Sequence, residues 1–325
     1  MKKFKTIKKI LSACIASAMM FSFSTLHTSA ASTTWYSQLS SSSGSTWSST
    51  KLDKLYFPNL TYCTDCGSTT LYKCRHTPFY TTSSYTPANN QLNKGHMNKW
   101  GCNMCSIAMI FKNMGATTKN SRYDFRNGTS KKQSADPFTV SMANMGWPSV
   151  AYSSADKVYN ITSYTTSGGP CYTFWATAAG EFGKSAYKVD FKNLTTKQKA
   201  DTIAYYLDKN PEGILVRVGN SHSLVFTDTT HPVPTNPAAK SASYIPEPIL
   251  LTQENESAIA YEEYLASENV VMSRAVTTTT YDSKFTCYDP GTTQSTKGNG
   301  VTYNNSYSAG VYGGIDNVNF IYYFD

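Results

Sequence analysis

Two cysteines three positions apart, Cys102 and Cys105, head an apolar segment in the run Trp100-Gly101-Cys102-Asn103-Met104-Cys105. A thiol attacks a carbonyl carbon only as its thiolate, and an ordinary cysteine, with a pKa of about 8.5, is only a few per cent ionised at neutral pH. The start of a helix changes that. Its aligned peptide dipoles favour negative charge, and its unpaired N–H groups can hold a developing oxyanion. Such a nucleophile also needs a base within hydrogen-bond reach and a group that orients the base. His222, which opens an apolar strand pattern after Gly219-Asn220-Ser221, is placed to be the base. Asp289, in Cys287-Tyr288-Asp289-Pro290-Gly291, is placed to hold the imidazole in one tautomer. The chemistry these types could perform is acyl transfer through a thioester.

Each residue also has a plainer reading. Cys102 and Cys105 could be structural half-cystines, His222 a core or turn histidine, and Asp289 part of an ordinary Asp-Pro-Gly turn. Their coincidence favours catalysis, because the apolar helix start, the histidine strand and the Asp-Pro segment occur together and in that order. The other histidines are less suitable. His27 lies in the N-terminal leader, His96 in the loop before the cysteines and His231 in a proline-rich stretch, while His76 accompanies Cys63, Cys66 and Cys74. This last group offers two ligand pairs, with Gly67 after the second thiol, and would suit a structural zinc; disulfides suit the same spacing. No cofactor is required for the acyl-transfer chemistry.

Several elements must position these groups. Met104, Ile107, Ala108, Phe111 and Met114 recur at spacings of three and four, predicting a helix from Cys102 to Met114 that Gly115 ends. A second helix is expected over Tyr172 to Phe182 and a third over Lys197 to Leu207, where Thr195 and Gln198 form a capping box. Beyond Gly213 the pattern becomes strand, with Ile214 to Val218 and His222 to Thr227 as a hairpin, Phe285 to Asp289, and Asn317 to Phe324. Helices first and antiparallel strands later argue for an α+β fold. The Ser- and Thr-rich stretch 32–50 lacks periodicity and reads as a flexible lead-in. Residues 230–280, proline-rich and then acidic, read as an insertion. The resulting organisation is a signal peptide over 1–30, a lead-in with a small Cys-rich element over 31–84, and a catalytic domain over 85–325.

The leader sets the compartment. Lys2, Lys3, Lys5, Lys8 and Lys9 precede an apolar stretch from Ile10 to Leu26 and a small-residue site near Ala30, as in a secretory signal peptide. Its removal takes five lysines and no acids, lowering the formal charge from +8 to +3. So small an excess does not ask for nucleic acid. No stable membrane span is expected in the mature chain, which should be a secreted or cell-surface monomer. Seven of the eight cysteines remain after processing; in an oxidising compartment an odd number leaves a thiol free.

The run Gly101-Cys102-Asn103-Met104-Cys105-Ser106-Ile107-Ala108-Met109 resembles the Gly-Cys-Gly-Pro-Thr-Ser-Leu-Ala-Met signature of peptidases related to the double-glycine leader peptidases of bacteriocin exporters. The segments Ile214 to Phe226 and Tyr288-Asp289-Pro290 resemble that family's histidine strand and Asp-Pro segment. The resemblance implies a papain-like fold, a Cys102–His222–Asp289 triad and a peptide or protein substrate. It also implies an oxyanion-hole glutamine a few residues upstream. Gln91, eleven residues before Cys102, is the nearest, with Asn98 as a fallback donor. Asn103-Met104 replaces the family's Gly-Pro. A papain-type register would instead make Cys105 the nucleophile and leave Cys102 to pair, with Cys171 as the expected partner. Peptidoglycan amidase or endopeptidase activity and an inactive surface binding protein are the alternatives on the same fold.

Overall fold

In this computed structural model the described residues are 33–38, 55–56, 101–124, 128–153, 158–163, 173–219, 222–234, 244–259, 283–292, 299–303 and 314–325. All lie within one unit, Ser32–Asp325. The leader, the element around Cys63, Cys66, Cys74 and His76, the loop carrying Gln91, His96 and Asn98, Cys171, and most of the insertion lie outside them.

The elements in chain order are β1 (Leu55–Tyr56), α1 (Cys102–Asn113), β2 (Arg122–Asp124), β3 (Thr129–Lys131), α2 (Pro137–Asn144), β4 (Ser149–Ser153), β5 (Val158–Ser163), α3 (Trp175–Glu181), β6 (Ala186–Asp190), α4 (Thr196–Lys209), β7 (Ile214–Val218), β8 (His222–Thr229), β9 (Ile249–Leu251), β10 (Phe285–Tyr288), β11 (Val301–Tyr303) and β12 (Val318–Phe324). Seven strands form an antiparallel sheet in the order β11-β10-β8-β7-β12-β6-β9. The fold is therefore α+β, with the cysteine-bearing helix packed on the sheet that carries His222 and borders Asp289.

Alternation along the strands explains why both faces are covered. Leu215, Val225, Tyr322 and Phe324 pack with α1, α2 and α3, whereas Ile214, Val216, Leu224, Phe226 and Ile321 pack with α4. A side chain alternates between faces at each step along a strand, so Arg217 and Ser223, paired across β7 and β8, share the α1 face. The helices follow the expected local signals. Thr195 accepts from the Gln198 N–H and Gln198 returns the bond, closing the capping box of α4. Helix α2, which the periodicity did not single out, has its own capping box between Asp136 and Thr139, with Pro137 in its first turn.

The N-terminal helix of the site differs from its sequence pattern. A one-sided apolar stripe was expected, but every residue from Cys102 to Phe111 is buried, Asn103 and Ser106 included. Sheet, α2 and the N-terminal segment together enclose it. The helix then stops at a glycine in the left-handed region, Gly115 at φ +63°.

The lead-in must be corrected. Residues 33–38 are not a flexible tail: Trp35, Tyr36, Ser37 and Gln38 are all buried. Asn113 Nδ2 donates to Thr33 Oγ1 at 3.1 Å, and Tyr36 OH donates to the Ala135 carbonyl at 3.4 Å. No periodicity marks the segment because it forms no regular element. It is held by acceptors and apolar surface from distant parts of the chain.

Candidate active site

Antiparallel pairing of β8 with β10 brings the beginning of one strand beside the end of the other, since Val225 faces Tyr288. His222, the first residue of β8, and Asp289, which follows β10, thus arrive at the same border of the sheet. His222 Nε2 lies 2.7 Å from Asp289 Oδ1. That oxygen also accepts the Gly291 main-chain N–H at 2.7 Å, which fixes the carboxylate from a second side. Cys102, at the first position of α1, is in hydrogen-bonding contact with His222. Asp289 occupies Nε2, so Nδ1 is the nitrogen left to face the sulfur.

Gly291 closes the far side of the imidazole. A Cβ there would lie 2.8 Å from His222 Cε1 and 3.1 Å from Asp289 Oδ1, too close for any side chain unless the ring moved. The Asp-Pro-Gly sequence is therefore more than turn chemistry. Its aspartate bonds the ring and its glycine lets the loop lie against the ring's edge.

The electrostatics favour an ion pair. Burial pushes the Cys102 thiol up, but the hydrogen bond and charge of His222, the charge of Arg217 and a main-chain hydrogen bond at Ser223 outweigh it, leaving the thiol at about 7. Burial pulls His222 down, yet Asp289, through charge and hydrogen bond, and Cys102 together raise it to about 9. Cys105 goes the other way. Fully buried in the apolar core, it is pushed well above the ordinary thiol range by burial and by the neighbouring Cys102. Cys287 is likewise raised, by burial and by Asp289. Among the described residues Cys102, Cys105 and Cys287 are not joined in disulfides, and Cys102 has the hydrogen bond to His222.

Asn103, the residue after Cys102, is buried and bonded on two sides. The Arg217 guanidinium, itself 4% exposed, donates from Nη1 to Asn103 Oδ1 at 2.8 Å and to Ser223 Oγ at 3.0 Å. Ser223 Oγ also donates to Asn103 Oδ1, and Asn103 Nδ2 donates to Thr173 Oγ1 at 2.9 Å. A positive charge is thus held behind Cys102 by the residue next to it. Sequence reading missed Arg217, although an arginine inside the apolar strand Ile-Leu-Val-Arg-Val is a signal, because a charge in a fully buried strand requires a partner.

A second imidazole–carboxylate pair lies apart from the first. His231 Nε2 is 2.7 Å from Asp201 Oδ1 and its Nδ1 is 2.7 Å from Ser283 Oγ. His231 and Ser283 flank the insertion, while Asp201 belongs to α4, so this trio pins both ends of the inserted segment to one helix. Both ring nitrogens are taken. Glu256, also from the insertion, accepts from Thr177 N at 2.8 Å and from Thr177 Oγ1, capping the start of α3.

The zinc weighed against disulfides for Cys63, Cys66, Cys74 and His76 is withdrawn. Among the described residues no group of three or more His, Cys, Asp and Glu side chains is placed to hold a metal ion. The buried imidazoles there are instead committed to carboxylates and a hydroxyl. The four residues themselves, like Gln91, lie outside the described residues. Among the described residues, too, no helix is long and apolar enough to cross a membrane.

These features define an α+β protein with a Cys–His–Asp arrangement at the junction of a helix N-terminus and a sheet border. Comparison with protein-family models, with curated proteins and with solved structures gives no match. The function is therefore read from the site itself.

Proposed function

We propose that the protein is an exported cysteine peptidase of papain-like design, related to the peptidases of the double-glycine leader type, with Cys102 as nucleophile, His222 as general base and acid, and Asp289 as the group that orients it. The observation carrying this reading is the joint contact of His222 with Cys102 and, at 2.7 Å, with Asp289. The register choice between the two cysteines rests on contact with the base: both are buried, but Cys102 meets His222, whereas the Cys105 thiol is pushed well above its ordinary range by burial and by Cys102.

The Cys102 thiolate attacks the carbonyl carbon of a peptide bond, and the carbonyl oxygen takes the negative charge. N–H groups of the first turn of α1 stabilise that oxyanion. A side-chain amide adds to them. Gln38, whose main-chain N–H donates to the Pro290 carbonyl at 2.9 Å beside the loop that packs on His222, is a candidate for this role alongside Gln91, which lies outside the described residues. Protonated His222 then gives its proton to the departing amine as the C–N bond breaks, leaving the acyl group on Cys102 as a thioester. His222 next removes a proton from water, the hydroxide displaces the thiolate, and a carboxylic acid leaves.

The engagement of Asn103 with Arg217 and Ser223 speaks against the inactive binding-protein reading, since the departure from Gly-Pro supplies a charged support rather than a gap. The test is labelling of the folded, reduced protein with iodoacetamide, read by peptide mass, alongside hydrolysis of a quenched peptide library. Modification of Cys102, with loss of hydrolysis in Cys102→Ala, is expected. A Cys102 that resists the reagent while the protein remains folded would end the proposal. Release of stem-peptide fragments from purified cell wall, with no cleavage of the library, would transfer the same chemistry to peptidoglycan.

A further inference from the structure

The buried N-terminal segment ends on the loop that carries the triad acid. Trp35 Nε1 donates to the Asp289 carbonyl at 2.9 Å. Ser37 Oγ donates to the Pro290 carbonyl at 3.2 Å and to the Thr292 carbonyl at 2.8 Å, and the Gln38 N–H donates to Pro290 as well. Within the loop, Thr292 Oγ1 also reaches the Asp289 carbonyl, at 3.4 Å. A buried carbonyl needs a donor, and the strongest one here comes from a residue 254 positions away. The same segment is tied at its other end to Asn113 on α1 and to Ala135, so it spans from the helix bearing the nucleophile to the loop bearing the acid.

We propose that residues 33–38 are a working strap of the active site and that Trp35 is a positioning residue, fixing the Asp289 main chain so that its carboxylate meets His222. This rests on the peptidase reading above. The reasoning is geometric. The Asp289 carboxylate is aimed by the φ and ψ of its own loop, the loop's outward carbonyls are held by the strap, and a shift of the loop would also press Gly291 into the imidazole. Loss of the indole N–H should weaken the Asp289–His222 bond, make the imidazolium less favourable, and so leave the Cys102 thiolate with less support.

Trp35→Phe keeps the buried ring and removes the donor. The rate of Cys102 alkylation as a function of pH, together with kcat and KM, should show its acid midpoint moved up by about half a unit or more. The kcat should fall about tenfold, with KM little changed. His231→Ala, which breaks a buried contact between α4 and the insertion and not one of the strap, should lower the melting temperature but leave the alkylation midpoint where it is. Should Trp35→Phe fail to fold, Ser37→Ala, which removes the hydroxyl whose one proton is shared between the Thr292 and Pro290 carbonyls of the same loop, carries the same expectation. An unmoved midpoint in the folded variant, or an equal shift in His231→Ala, overturns the inference. A wild-type Cys102 that does not alkylate at all overturns the peptidase reading instead, so the two failures are distinguishable.

Discussion

At the scale of single residues, reactivity follows from what surrounds each sulfur. Cys102 and Cys105 share one helix, yet one contacts an imidazole and the other contacts only core, and their ionisation moves in opposite directions. The pair Cys102–His222 should act as thiolate and imidazolium between about 7 and about 9. A thiol lowered to about 7 becomes active as pH rises through that value, and a histidine raised to about 9 loses its proton, and with it the ability to assist the leaving amine, as pH rises further. The dependence of kcat/KM on pH should therefore be a bell with limbs near those values, which belong to the coupled pair and not to either group alone. A rate that keeps rising past the upper limb would contradict the assignment of His222 as the acid. The proposed oxyanion donor can be tested apart from this pair. Gln38→Ala should cut kcat by about a hundredfold while leaving the alkylation profile of Cys102 intact, and Gln91→Ala should alter neither. The reverse pattern would return the role to Gln91.

At the scale of elements, the site depends on how loops and helix ends are anchored. His231, between Asp201 and Ser283, joins α4 to both borders of the insertion. Removing the imidazole takes one hydrogen bond from the buried Asp201 carboxylate, which keeps its ion pair with Lys197 at 2.6 Å, so His231→Ala should cost about 2 kcal/mol, measured by denaturant unfolding. The pH profile of Cys102 alkylation should be unchanged, because this trio is built on α4 and the borders of the insertion. A shift in that profile would mean that the insertion and the active site communicate. Glu256 plays a comparable part for α3, where its carboxylate meets the N–H and hydroxyl of Thr177 in the first turn. The acids of the insertion thus include at least one with a structural task, which their charge pattern alone does not disclose.

At the scale of the whole molecule, the sheet is completed by its last strand. β12 lies between β7 and β6 in the middle of the seven-stranded sheet and contributes Ile321 to one core and Tyr322 and Phe324 to the other. Trp175 of α3 stacks on Tyr322 with ring centroids 3.8 Å apart. Deleting Val318–Phe324 should leave β7 and β6 without a shared neighbour and open both cores. The expected result is loss of cooperative thermal unfolding and rapid proteolysis, where removal of an edge strand would leave a folded remainder. A truncated chain that still unfolds cooperatively would show that the sheet is built from two independent halves.

The sequence by itself determined the local elements and the types of group that could react. The three-four spacing of α1, the Thr195–Gln198 box of α4 and the strand pair around Gly219 each depend on neighbours within a few positions, so the chain records them directly. The order Cys102, His222, Asp289 was legible for the same reason, as each residue sits at a recognisable element boundary. Tertiary structure alone decided which cysteine meets the base, why Asn103 stands beside it, and what becomes of Trp35 to Gln38. The Asn103 carboxamide is explained by Arg217 and Ser223, more than a hundred positions away. The strap has no repeating face because its bonds go to carbonyls of a distant loop. Periodicity reports how a segment folds on itself; burial, ionisation and the accommodation of a buried charge are set by whatever other part of the chain arrives alongside.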